Sequence, residues 1–351
     1  MNLSASLRPQ RTAPRIAARE LMSAAQLAEV RQRSTWRGLA MVAHAWATII
    51  AAIALVAVWP NPLTFILAVM VIGSRQLGLA ILMHDGAHGA LHSDAAINLG
   101  ASQWLCAYPV FAETRAYRRY HLKHHAHTQT DLDPDLILSS PFPITPASYR
   151  RKFWRDISGQ TGYEQRKAQV LNAMGPVERP LPQRIAALWA NLGPQITANL
   201  VIFAVLALAG VWWAYPLLWL LPLLTWFLVV SRVRNIAEHA VVPDNDDPLR
   251  NTRTTLANRI ERLFLAPYYV NYHLEHHLFF YVPAYNLPKV HQWLMAGPEH
   301  QRMEVAHGYW EVLAKATALP AHQDIPGQIV NAARLVTTGT ETNPDKARSG
   351  F

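Results

Sequence analysis

Cysteine is almost missing. The 351 residues contain only Cys106, which excludes an internal disulfide framework and any thiolate cluster for zinc or iron–sulfur chemistry. A metal site in this chain must use nitrogen and oxygen ligands. Charge is scarce as well: 16% of residues are Asp, Glu, Lys or Arg and 51% are hydrophobic, against roughly 25% charged in an ordinary soluble domain. That composition points to lipid. The net charge of +9 would suit nucleic acid or an anionic membrane surface, and the placement of the basic residues favours the membrane. The first forty residues lack a short apolar run closed by a cleavage site and carry seven arginines. They are expected to be a basic cytoplasmic lead-in, not a removed signal peptide.

Long uncharged runs are abundant. Residues 39–60 contain no charge and can cross a hydrocarbon core of roughly 30 Å, and 63–83 reads as the returning span. His44 in the first run is expected to face the bundle or the interface. Arg75 is the one charge in the second, and at that depth it is expected to face protein or water. The block from about 196 to 231 is too long for one crossing, and the tryptophans near Tyr215 and Pro216 mark an interfacial turn. Two further spans, 196–213 and 216–233, fit it better. The apolar stretch 97–111 is short and is expected to be re-entrant or to lie at the interface.

Of the 32 Lys and Arg residues, seven precede residue 39, twelve lie between 84 and 195, twelve follow 231, and Arg75 is the remaining one. Neither short connection between spans carries any, so both termini and the central loop are expected on the cytoplasmic face, at the inner membrane in a bacterial cell. The fold class expected is an all-α membrane protein with four transmembrane helices and a cytoplasmic helical cap. The organisation is a basic segment 1–38, a membrane domain 39–300 and a cytoplasmic segment 301–351 with a loosely ordered polar tail beyond about 320. A soluble helical bundle does not produce four charge-poor spans with one-sided loops.

Histidine is the chemical resource of the chain, with 16 copies. His84 and His88 leave the second span four residues apart, on one helical face. His121, His124 and His125 (HLKHH) and His273, His276 and His277 (NYHLEHH) repeat one pattern far apart in sequence. His121 is one turn from both its companions, so the three can converge on one metal region. His239 follows the fourth span, with Asn235 one turn earlier. So many neutral imidazoles at one bilayer face need a partner for their lone pairs, and nine candidates suggest two metals with positions left for water or oxygen. Imidazole suits zinc, copper, nickel or iron, so the pattern does not name the metal.

Asp85, Glu238 and Glu275 adjoin these histidines and can accept the free ring N–H of a ligand. Asp131, Asp133 and Asp135 can do the same, bind an arginine or form a turn. His92, His127 and His291 lie near the clusters but outside the repeated spacings, and are expected to play outer roles.

HDGAH, HLKHH with the following HTQTDLDPD, and NYHLEHH resemble the three histidine boxes of the integral-membrane fatty acid desaturase superfamily, which also contains lipid and carotenoid hydroxylases. The resemblance covers roughly residues 40–300 and includes the order of spans and boxes. It implies a diiron site in the cap, with His84, His88, His121, His124, His125, His273, His276 and His277 as box ligands and His239 as the additional one. Asn235 resembles a position that reaches iron through water in some acyl-CoA desaturases. It implies two Fe ions, O2 as co-substrate, a membrane lipid or acyl chain as substrate, and no nucleic acid. The first box departs from the longer HxxxxH form of the acyl-CoA enzymes and is nearer the acyl-lipid and sphingolipid branches. No segment resembling a fused cytochrome b5 is evident, so an external ferredoxin, cytochrome b5-like protein or reductase is implied as electron donor.

The reaction implied is oxygen-dependent desaturation, with lipid or carotenoid hydroxylation as the close alternative on the same ligand set. A two-metal membrane hydrolase would use a similar site without oxygen or reductant. A metal transporter would place its ligands near mid-membrane in broken helices, whereas these clusters lie beyond the span ends. Arg115, Arg118, Arg119, Arg150 and Arg151 in the central loop are candidates to anchor anionic headgroups or a donor protein.

Overall fold

A computed structural model describes residues 15–320. The polar tail and residues 1–14 of the basic lead-in lie outside the described residues. Four helices are long and apolar enough to cross a membrane. The first hairpin is α1 (Arg37–Val58) and α2 (Pro62–Ala87). Asn61 sets the turn: its side-chain oxygen accepts from the Leu63 and Thr64 amides at 3.0 and 3.1 Å. Pro62 takes the first helical position, where its missing N–H leaves nothing unpaired. The helix α2 is enclosed along its second half and forms the centre of the bundle. Arg75 within it faces protein, as expected: its Nη2 donates to the Leu263 carbonyl at 2.5 Å. His44 also finds a protein partner, with Nδ1 3.0 Å from the Tyr268 hydroxyl.

The stretch expected to be re-entrant folds as Ala95–Ala101, a π-helical turn Ser102–Ala107 and a 3-10 turn Tyr108–Val110. The cap follows as α3 (Thr114–His127), α4 (Pro146–Ile157) and α5 (Gln160–Met174). The second membrane hairpin is α6 (Leu181–Leu208) and the segment Tyr215–His239, whose latter part is α7 (Trp226–His239). Thr225, with φ −124° and ψ −89°, breaks this last span just before α7.

Helix α6 begins well before the expected 196. Its first turns carry exposed Leu181, Ile185 and Trp189 together with Arg184, an amphipathic start that hydropathy alone does not count as a span. Likewise α2 and α7 run past their last apolar residues into the cap and end on His84 to Ala87 and on His239. That overrun is what carries histidines from the bilayer to the site. Exposed Ile50, Leu200, Val201, Val205 and Leu208 on α1 and α6 form the lipid-facing belt.

The last histidine-bearing element, α8 (His273–Leu278), is a short cap helix. Residues beyond 300 belong to the same body: Val305–Ala306 pairs in parallel with Thr254–Thr255, and the helix Tyr309–Ala316 packs on α7. A boundary at 300 therefore cuts through the cap. The chain is an all-α membrane protein with four spans and a helical cap.

Candidate metal centre

The nine histidines come together in two groups. His84, His88, His121, His125 and His276 form one, and His124, His239, His273 and His277 the other; within each group one ligand atom per residue lies within 4.8 Å of the rest. Each HxxHH box is split between them, contrary to the expectation that its three rings share one region. On a helix, positions i and i+4 differ by about 40° while i+3 turns about 60° the other way. His121 and His125 therefore stay together and His124 crosses to the other group. The same rule holds in α8, where His273 and His277 stay together in the second group and His276 crosses to the first.

The donor chemistry fits metal ions. In the first group Nε2 of His121 is 2.8 Å from Nε2 of His84 and 2.9 Å from Nε2 of His125, which is itself 3.0 Å from Nε2 of His276. In the second, His239 and His273 approach to 2.8 Å and His124 and His277 to 3.3 Å, again through Nε2. A neutral ring nitrogen offers one proton or one lone pair, so a single Nε2 cannot satisfy two neighbours by hydrogen bonding. Nε2 of His88 is enclosed with no partner at all. Convergent lone pairs of this kind are satisfied by cations.

Burial first, and then repulsion from neighbouring imidazoles, holds His121, His125, His273, His276 and His277 well below the ordinary imidazole value. Burial and the Arg118 charge push His88 down to about 3. These rings are neutral at physiological pH, the form a metal requires. His124 goes the other way. Burial works to lower it, but the hydrogen bond to Asp133 and the charges of Asp135 and Asp133 raise it.

Outer partners orient the rings through Nδ1. Asp133 meets His124 at 2.7 Å and Asp135 lies 3.6 Å away; Glu238 is 3.4 Å from His273 and is itself held by Arg234 at 2.6 Å. The Tyr117 hydroxyl lies 3.4 Å from His121, and that of Thr128 lies 3.3 Å from His277. Asp85 is 3.8 Å from His84 and accepts from the Ala284 amide at 3.2 Å. Asp131 is exposed and is not brought to the site; the turn gives that place to Asp133, whose second oxygen accepts from the Gln129 amide at 2.9 Å. Glu275 adjoins His276 in sequence but turns away, to His291 at 2.7 Å and to the Thr254 hydroxyl. His92 accepts from the Asp94 amide at 2.9 Å, and neither it nor His127 joins a group.

Arg253 was not evident from the sequence as part of this architecture. Fully buried, it donates to the carbonyls of Ala237, Ala240 and Val241 at 3.1, 3.0 and 2.7 Å and to Glu304 at 2.9 Å. It thereby pins the end of α7 that carries His239. A small cavity borders the second group, with Asn235, Arg234 and Leu138 on its wall beside His124, His239 and His273.

The sequence profile described as "Fatty acid desaturase" matches residues 57–309, most of the chain. The chain belongs to the fatty acid desaturase family. The chain is also 28% identical over 251 residues to the dihydrorhizobitoxine desaturase of Bradyrhizobium elkanii, covering 69% of this chain and 71% of that protein. Membership makes it an integral membrane oxidoreductase of a metal-dependent family that acts on lipid or acyl substrates, and the two histidine groups are sites that could hold metal.

Proposed function

We propose that this desaturase introduces a carbon–carbon double bond into an aliphatic chain, using O2 and externally supplied electrons. The ligands in this reading are His84, His88, His121, His125 and His276 for one iron and His124, His239, His273 and His277 for the other. Two irons there would activate O2, the oxidant that hydrogen removal from an unactivated C–H bond requires and that acid–base groups cannot replace. The observation that carries the reading is the division of nine imidazoles into two compact groups within one desaturase-family cap.

The protein's part is ligation, orientation and placement. Asp133, Glu238, Tyr117 and Thr128 fix ring orientation, which raises ligand basicity where a carboxylate accepts the Nδ1 proton. The second group has one imidazole fewer and opens towards the cavity wall bearing Asn235. That supports Asn235 as the group which positions water or substrate there. Position along the chain follows from geometry in this reading, where about 1 Å matters.

The cap and both termini are assigned to the cytoplasmic side, with a ferredoxin, a cytochrome b5-like protein or a reductase as donor. The one-sided Lys and Arg distribution supports this. Residues 39–300 form the catalytic domain in this reading, with the packing of residues up to Ala316 extending it. The relative is named for dihydrorhizobitoxine, so the substrate is not restricted to a fatty acyl group.

The test is aerobic expression in a host of defined lipid and metabolite content, followed by mass spectrometry, beside a His124→Ala, His125→Ala variant. Loss of two hydrogens from a chain, absent in the variant, is the expected result. Gain of one oxygen would assign hydroxylation instead. Turnover without oxygen, or with zinc in place of iron, would contradict the oxidative reading.

A further inference from the structure

The cavity bordering the second histidine group adjoins a second one. They share Leu138 and Asn235 on their walls, and the larger one is a partly open cleft between α4, α5 and α7. Part of the larger wall is apolar, with Phe142, Leu228 and Ile236. Another part is cationic: Lys152 and Arg155 lie one turn apart on α4, both half-buried. Neither has an anionic partner within ion-pair distance among the described residues. The third cation, Arg232, is already committed. Its Nη2 donates to Asp156 at 2.9 Å, and the Thr161 hydroxyl donates to the same carboxylate at 2.7 Å. Ser231 Oγ is enclosed at this wall with no partner.

Two unpaired cations in a partly buried cavity are costly without an anion. Burial, followed by repulsion from Arg232 and Arg155 and offset only in part by the Asp156 charge, holds the Lys152 amine below its ordinary value, a cost that an arriving anion relieves. The arginines expected to anchor headgroups sit differently, with Arg150 and Arg151 exposed on the same helix. Trp154 on α4 and Tyr163 on α5 are also exposed, at 65% and 61%. Aromatic side chains of that kind mark the level of lipid headgroups.

We propose that this cavity is the substrate port and that it takes an anionic amphiphile. The carboxylate or phosphate is held by Lys152 and Arg155, and the attached chain runs past Ser231 and Asn235 to the histidine groups. The inference rests on the desaturase reading above, and it adds the charge of the substrate and the residues that select it. The anion is either a free acid or the head of a membrane lipid.

Binding separates it from catalysis. Iron-loaded protein in neutral detergent is titrated with radiolabelled dodecanoate and with methyl dodecanoate, and phosphatidylglycerol nanodiscs serve as competitor. Dodecanoate is expected to bind, with affinity falling about tenfold or more in Lys152→Ala, Arg155→Ala while iron content is retained. The methyl ester is expected to bind weakly and equally to both proteins. Displacement by the nanodiscs assigns the head to a lipid, and lack of displacement assigns it to a free acid. If the double variant loses iron, Lys152→Met and Arg155→Gln singly carry the same comparison. Equal affinity for acid and ester, or for the original protein and its charge-neutral variants, overturns the proposal. The desaturase reading would survive that result, because its own test measures product mass.

Discussion

At the scale of single residues, the site depends on groups outside the nine histidines as much as on the histidines themselves. Asp133 holds His124 at 2.7 Å in a buried setting, so Asp133→Asn is expected to lower iron affinity or activity about 10-fold to 100-fold. Asp131→Asn, at an exposed neighbour, should leave both unchanged, and metal analysis beside product yield checks the pair. Sequence adjacency could not rank these two carboxylates. The turn that decides between them includes Gln129 in a left-handed conformation, φ 62°, and alternation along an irregular turn has no fixed period. Glu275 shows the same limit: it is next to His276 in the chain, yet bonds His291. The box histidines were legible because i, i+3, i+4 spacing repeated twice; Arg253 was silent because its partners are backbone carbonyls. Arg253→Met uncaps the end of α7 and leaves Glu304 without its cation. A stability loss of about 3 kcal/mol or more is expected, read as a lower melting temperature in detergent.

At the scale of elements, helices that outrun the bilayer do the positioning. The end of α2 must pass close to the π-helical turn Ser102–Ala107, and Gly86 makes this approach: a Cβ there would lie 2.2 Å from that of Ser102. The glycine of HDGAH is therefore a packing requirement between the two histidines of the first box. Gly86→Ala is expected to cost about 1–3 kcal/mol through overpacking and to lower the iron bound by the His84 and His88 group. Full iron content at unchanged melting temperature would contradict this. The four spans were legible from long uncharged runs, whereas their ends were not. Hydropathy stops at the last apolar residue, but the hydrogen-bonded helix continues through Arg232, Arg234 and Glu238 to His239. The same reason moved the start of α6 back to Leu181.

For the whole molecule, neutral buried imidazoles link stability to pH. His121, His125, His273, His276 and His277 lie below 6.5 in the folded state, and His88 near about 3. Between these values and 6.5 the unfolded chain binds more protons, so their contribution falls as pH drops below about 6.5. His124, raised by its carboxylates, contributes in the opposite sense, but it is one ring against six. The metal-free protein should therefore melt at a lower temperature as pH falls from about 7.5 to about 5.5, and bound iron, which takes the neutral rings, should reduce the loss. A melting temperature that rises on acidification would contradict the assignment. Four long uncharged runs made the overall architecture legible, but the pairing of remote boxes into two groups of five and four was not. Helical spacing splits each box, but which halves meet depends on how α3 and α8 face each other, a tertiary relation with no local sequence signal.

The central claim is that nine histidines hold two irons. Metal analysis with Mössbauer spectroscopy of protein reconstituted with ⁵⁷Fe tests it most directly. The account predicts two irons per chain in nitrogen-rich environments. It also predicts that His276→Ala perturbs the five-histidine site and His239→Ala the four-histidine site. One iron or none in the folded, reconstituted protein, or an unchanged spectrum in both variants, would contradict it.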